Sequence, residues 1–272
     1  MSRKLFSHIL QGCVFALFLI TTLSDRTFAF LETTAPQDTS FVFLPAVTFM
    51  ANQPEEAIFI QEPGPGSRVI SPLHLAGMAD STFEQNLEIR IQLLDGEILT
   101  HTFTTIQADI GERGPFSTDI PFTTSGEQQA VIQVFSTSAR DGGITHLSSA
   151  FVTLADSGSP EIHPASTSTE RIMLFQPALG ELISGGTVYV SGFGLASFEQ
   201  HLFIEVLDEN GLVIGSAPVT INAPDLGQPG FFDIAIPYTL SSAGPGRILV
   251  HDPSPAFDGD VHLTSIEIHL AP

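Results

Sequence analysis

The feature that most restricts this chain is an internal duplication: the segment from Ala57 to Leu154 recurs from Ile172 to Leu270. Pro63 to Gly66 (PGPG) matches Pro177 to Gly180 (PALG), Gly77 matches Gly192, and Phe83-Glu84-Gln85 matches Phe198-Glu199-Gln200. Phe116, Ile120, Pro121, Phe122 and Thr123 then align with Phe232, Ile236, Pro237, Tyr238 and Thr239, and Ala139, Asp141 and Gly142 with Ala256, Asp258 and Gly259. The offset between partners drifts only from 114 to 117 residues, so one unit is copied with small loop changes. Whatever folds residues 57–155 must fold residues 171–272 as well.

Each unit has a hydrophobic period of two. Leu87, Ile89, Ile91 and Leu93 alternate with Glu88, Arg90 and Gln92, and Leu202, Ile204 and Val206 repeat the pattern, so one face of each strand enters a core. Val188 and Val190 do the same, and Ile132 and Val134 are matched by Ile248 and Val250 in a further strand. Asp95-Gly96 and Asn210-Gly211 are hairpin dipeptides. About seven short strands in roughly 100 residues predict an all-β chain of two tandem immunoglobulin-like β-sandwiches, with no cysteine pair to pin the sheets. Phe116 with Phe232, Ile120 with Ile236, and Ile132 with Ile248 are the expected core pairs. Phe83-Glu84-Gln85 and its copy read as a loop whose Phe plugs one end of the sandwich while the polar side chains satisfy the backbone, the alternative being a repeated contact loop. Residues 156–170 read as a linker: the 13 residues from Ser157 to Thr169 (SGSPEIHPASTST) would span roughly 20 Å as a flexible coil, giving the two units some play.

Residues 1–29 have the order of a secretory signal peptide: Arg3 and Lys4, an apolar stretch from Val14 to Leu23, then Thr27-Phe28-Ala29 with small residues at a cleavage site. The apolar stretch is shorter than the roughly 20 residues of a spanning helix, which argues against a retained membrane anchor. Leu10-Gln11-Gly12-Cys13 has the composition of a lipoprotein box, but most of the apolar stretch follows the cysteine instead of preceding it. The sequence therefore places the chain outside the cytoplasm, secreted or on the cell surface, with no stable membrane span after cleavage near Phe30. Residues 30–56 form an N-terminal segment in which Phe41 to Met50 is read as an edge strand interrupted by Pro45.

The whole chain carries 30 acids against 9 bases. Cleavage after Ala29 leaves six arginines, no lysine and 29 acids, a charge of 6 − 29 = −23. Nucleic acid is excluded as a partner, because phosphate needs Lys or Arg to neutralise it. The single cysteine, Cys13, leaves with the signal, so stability outside the cell rests on packing.

No motif assigns chemistry. There is no G-x-S-x-G elbow, and Gly64-Pro65-Gly66 and Gly192-Phe193-Gly194 have no following helix to make a phosphate cradle. Nine histidines are present without an HExxH, and His201 and Glu205 lie some 13 Å apart along one strand at roughly 3.3 Å per residue. These histidines read as scattered structural or surface residues, so the sequence assigns no catalytic, cofactor-binding or metal-binding residue. Calcium finds hard oxygens in Asp208-Glu209-Asn210-Gly211 and Asp258-Gly259-Asp260, although hairpin chemistry alone favours the same residues. Sugar stacking finds no Trp, and Tyr189 and Tyr238 fall in strand patterns that predict burial.

Taken in order, the P-x-x-G turn, Gly77, Phe83-Glu84-Gln85, Asp95-Gly96, Gly114-Pro115-Phe116 with Ile120-Pro121-Phe122, and Ala139-Arg140-Asp141-Gly142 resemble the immunoglobulin-like domain of bacterial spore germination. The resemblance covers both units and is stronger in the first, since the second departs at Pro229-Gly230-Phe231 and Phe257. It implies an adhesion or envelope-interaction domain with no catalytic residues to carry over. The expected function is a non-catalytic module that binds or spaces a protein or cell-envelope polymer; the alternatives are a calcium-dependent adhesin or a carbohydrate-binding module, and an enzyme is the weakest reading.

Overall fold

A computed structural model describes residues 54–272. The signal peptide expected over residues 1–29 and the strand expected over residues 41–50 lie outside the described residues.

The first unit contains β1 (Ile58–Glu62), β2 (Arg68–Ile70), β3 (Leu73–Ala79), β4 (Asn86–Leu93), β5 (Ile98–Thr105), β6 (Gly114–Ile120), β7 (Gln128–Thr137) and β8 (Ile144–Ala155). The second repeats the series as β9 (Ile172–Gln176), β10 (Leu182–Ile183), β11 (Thr187–Gly194), β12 (His201–Leu207), β13 (Val213–Thr220), β14 (Gly230–Pro237), β15 (Gly244–Pro253) and β16 (Asp260–Leu270). In each, a three-stranded sheet (β1-β3-β6, or β9-β11-β14) faces a layer ordered β5-β4-β7-β8 or β13-β12-β15-β16. Two separate apolar cores follow: one holds Leu75, Ile89, Phe116, Ile120 and Ile132, and the other Val190, Ile204, Phe232, Ile236 and Ile248. All six expected core residues are buried in both copies.

The alternation predicted along β4 holds from Leu87 to Ile91 but breaks at Gln92, which is buried where the register with β5 shifts, and the two hairpin glycines, Gly96 and Gly211, take the left-handed backbone their turns need (φ 98° and 76°). Two side chains depart from the sequence reading. Tyr238 is buried, its hydroxyl donating to Ala271 O at 2.7 Å, but Tyr189 is 70% exposed because it points outward between buried Val188 and Val190. Gln85 does satisfy its loop, its amide donating to Asp109 O (2.8 Å) and Glu112 O (3.1 Å), yet Phe83 is 60% exposed and plugs nothing. Glu84 and Gln85 both adopt φ 55°, and the second copy repeats the pattern, with Glu199 and Gln200 at φ 48° and 58° and Phe198 exposed as well.

The two layers that contain β8 and β16 join into one sheet, which has ten strands once β2, parallel to β8, and β10, parallel to β16, are counted. β8 and β16, the matching last strands of the two units, pair antiparallel with Leu147 opposite Leu263 and His146 opposite Thr264. Because Leu147 and Leu263 are themselves counterparts in the duplication, the junction is pseudo-two-fold, as in an isologous dimer interface. Ser149 and Ser265, also counterparts, reach across it to Val261 O (2.7 Å) and Ile144 O (2.6 Å).

The connecting segment, expected to be loose, is fastened along the first sandwich. Arg68 and Glu161 exchange both backbone hydrogen bonds at 2.8 Å, the Arg68 guanidinium donates to Ser157 O and Ser159 O, and Gly64 and Ala165 bond to His163 O and Gln61 O. Side-chain composition suggested a coil; the backbone groups, which composition does not report, found partners on β1 and β2.

Candidate functional site

The A-R-D-G turn of the first unit meets the second unit in an ion-pair cluster. Arg247, nearly fully buried, donates to Asp141 Oδ1 at 2.6 Å, to Glu267 Oε1 at 3.1 Å and to Ser265 Oγ at 2.8 Å. Arg140 adds a hydrogen bond to Gly246 O and an ion pair to Glu267. Burial works to raise the Asp141 carboxyl pKa, but hydrogen bonds from Arg140, the Gly143 N–H and Arg247 prevail and hold it well below the usual carboxylate range.

A second polar cluster lies on the same junction and has the chemistry of a ligand set. Glu56 precedes β1 and Glu170 precedes β9; His146 stands in β8 and His262 in β16. Each unit thus supplies one carboxylate and one imidazole, at counterpart positions. The two glutamates are brought together by a short antiparallel contact in which Glu55 bridges Thr169, Glu56 N–H donates to Ser168 O, and Glu170 N–H donates to Pro54 O. The following N–H of each unit then crosses to the other's carboxylate: Ala57 N–H to Glu170 Oε2 at 2.9 Å and Arg171 N–H to Glu56 Oε2 at 3.1 Å. Ile172 N–H and Ser148 Oγ donate to Glu170 Oε1 (3.2 Å) and Glu56 Oε1 (2.9 Å).

The imidazole Nε2 atoms face these carboxylates. His146 Nε2 lies 2.7 Å from Glu56 Oε1 and 4.0 Å from Glu170 Oε2; His262 Nε2 lies 3.4 Å from Glu56 Oε1 and 3.2 Å from Glu170 Oε1. One ligand atom from each of the four residues falls within 4.8 Å of every other. The rings meet edge to face, centroids 4.8 Å apart. Burial opposes charge on both histidines. At His146 it is outweighed by the hydrogen bond with Glu56 and the charges of Glu170, Glu56 and Asp80, so that pKa is raised. At His262 burial dominates, and with the His146 and Arg171 charges it depresses the pKa to about 3 against the pull of Glu56. A cleft of about 300 Å³, lined in part by Glu56, Ser148, Glu170, Arg171 and His262, opens onto the cluster.

The sequence reading treated the histidines as scattered and missed this group. The signal was present, because His146-Leu147-Ser148-Ser149 and His262-Leu263-Thr264-Ser265 keep the offset of the duplication, as do Glu56 and Glu170. The calcium candidates are not drawn together in the same way: Asp208 Oδ1 caps its own turn through the Asn210 and Leu212 N–H groups, and Asp260 Oδ1 binds His251 Nδ1 at 2.6 Å.

That His251–Asp260 pair carries a pH prediction. Burial disfavours the imidazolium, but the Asp260 hydrogen bond and the charges of Asp260, Glu205 and Asp252 raise its pKa above the ordinary value. A raised folded pKa gives stability that is complete below the unfolded value of about 6.5 and is lost as pH rises through the folded one. His251→Gln should therefore cost about 1 kcal/mol at pH 6 and nearly nothing at pH 9, read from urea midpoints at both.

Fold and junction together define a two-sandwich immunoglobulin-like protein whose halves share a sheet. Residues 57–143 match the family model of the immunoglobulin-like domain of bacterial spore germination, the resemblance that the motifs of the first unit carried; the match ends before β8 and does not extend to the second unit. No curated protein sequence matches the chain. Among solved structures, it is similar to red sea bream transglutaminase (9% identity, 86% of this chain and 34% of that one, TM-score 0.28), the titin domains Z1Z2 in complex with telethonin (13%, 80% and 97%, 0.20), and dimeric latent PorU from Porphyromonas gingivalis (10%, 79% and 24%, 0.24). The chain spans about a third of the transglutaminase's length. Similarity this slight carries nothing about role from those proteins to this chain.

Proposed function

We propose that the chain is a non-catalytic extracytoplasmic module that binds or spaces a protein or polymer of the cell envelope. The observation that supports this reading is the β8–β16 pairing: a sheet continued from one sandwich into the other sets the distance and angle between two surfaces, as a spacer requires and as a flexible tether does not. The acidic surface favours partners that are neutral or cationic, and it disfavours nucleic acid and anionic lipid. Among the described residues, no helix is long and apolar enough to cross a membrane.

Two measurements test the proposal. Limited proteolysis should leave the chain uncut between Ser157 and Thr169, and both sandwiches should survive as one fragment; two resistant halves would mean a tether and not a spacer. Crosslinking and affinity capture from the native envelope with the full mature chain should return a specific partner, and retention should be unchanged by single substitutions that leave the fold intact away from the contact. Turnover of a substrate by the purified protein, abolished by a point mutation, would overturn the non-catalytic reading.

A further inference from the structure

Two buried carboxylates that converge on two imidazoles are a costly arrangement unless positive charge joins them, since isolated charge inside a protein is strongly penalised. Neither nearby guanidinium bonds to the facing carboxylate oxygens: that of Arg171 donates to Asp252 Oδ2 and to Ser197 Oγ, each at 3.1 Å, and that of Arg113 donates to the Glu56 backbone carbonyl at 3.0 Å and pairs with Asp80 and Glu55. The facing atoms have the spacing of a coordination shell. With metal–ligand bonds of about 2.0–2.1 Å, the edges of a tetrahedron are roughly 3.3 Å. Glu56 Oε1 lies 2.7 Å and 3.4 Å from the two imidazole nitrogens and Glu170 Oε1 lies 3.2 Å from one of them, near that edge; the 4.0 Å contact is made by the other Glu170 oxygen, and the four ligand atoms lie within 4.8 Å of one another.

We propose that Glu56, His146, Glu170 and His262 bind one divalent first-row transition-metal ion, zinc being the best fit, and that the ion clamps the two sandwiches together. Imidazole nitrogen with carboxylate oxygen suits zinc and its neighbours, whereas calcium takes oxygen ligands only. Two carboxylates and two neutral imidazoles balance the charge of a divalent ion. The outer shell is present as well: the Arg171 and Ser148 donors orient Glu56, the Ala57 and Ile172 N–H groups orient Glu170, and the neighbouring cleft is a path of entry. All four protein ligands in one closed set mark a structural site and not a catalytic one. Because each unit supplies one Glu and one His, neither sandwich can hold the ion alone, and the site exists only while the junction is closed.

The test uses the full mature chain without a polyhistidine tag, stripped with a chelator and titrated with zinc chloride and with cobalt chloride. The expected result is one ion per chain, a melting temperature that rises with free zinc, and cobalt spectra of a four-coordinate nitrogen and oxygen site. His262→Gln and Glu56→Gln should each weaken zinc by more than about 100-fold, beyond the 10–100-fold of an outer-shell change, and Ser148→Ala by about tenfold. If a ligand variant fails to fold, X-ray absorption on the zinc-loaded wild type decides, since it must show two imidazoles and two carboxylates at about 2.0–2.1 Å. Absence of stoichiometric binding, binding that survives both ligand substitutions in folded protein, or an absorption spectrum without two imidazoles would each overturn the proposal.

Discussion

Replacing Phe116 by Ala is expected to cost about 3 to 5 kcal/mol, a large part of the stability of the first sandwich. Phe116 is among the largest fully buried side chains of the molecule, 1% exposed, and it belongs to the same core as Leu75, Ile89 and Ile132. Its β-strand neighbours are held by the ladder to β3, so the space left by the ring cannot collapse without breaking backbone hydrogen bonds. Phe232→Ala should cost a similar amount in the second sandwich, where Phe232 is 3% exposed. Urea unfolding of both variants checks the pair; a change below about 1 kcal/mol in either would mean that the ring contributes little to its core.

Gly77→Ala should destabilise by about 3 kcal/mol or more, at the upper end of overpacking costs, although it adds only one carbon. A Cβ there would stand 2.1 Å from Phe59 O and 2.6 Å from the Phe116 ring. The first of these atoms is backbone in β1, which pairs with β3, so relief requires the strand itself to move. Gly192 repeats the situation, with Met173 O at 2.3 Å and the Phe232 ring at 2.4 Å. Gly192→Ala is expected to show the same loss, and Gly77→Ala combined with Phe116→Leu should remain destabilised, because the backbone side of the clash stays in place. Thermal melts of the singles and the double measure both effects; a Gly77→Ala protein as stable as wild type would show that β1 shifts freely.

Most of the build was legible from the duplication. Gly77 and Gly192, Phe116 and Phe232, and the period-two runs of β4 and β12 are local requirements of one sandwich, and two copies of the same local requirement stand out against sequence that is otherwise free to drift. Tyr189 was misread although its orientation was legible: Val188 and Val190 on the core face put the residue between them on the opposite face, where it is 70% exposed. Phe83 was misplaced because it was read as a core residue, whereas the loop it opens leaves its ring exposed and only Gln85 turns inward.

The sequence by itself determined the units, their cores and their hairpins, because period, turn chemistry and packing size act over a few residues and are written twice. What the tertiary structure alone decided is the relation between the units. Composition made residues 157–169 a coil, but their backbone groups bond to β1 and β2, and β8 and β16 pair about a pseudo-two-fold axis. Glu56 and Glu170, and His146 and His262, are each far apart in sequence and lie in different units. Neither unit contains a site, so no reading of one unit could find it; the axis that brings counterpart residues together creates it.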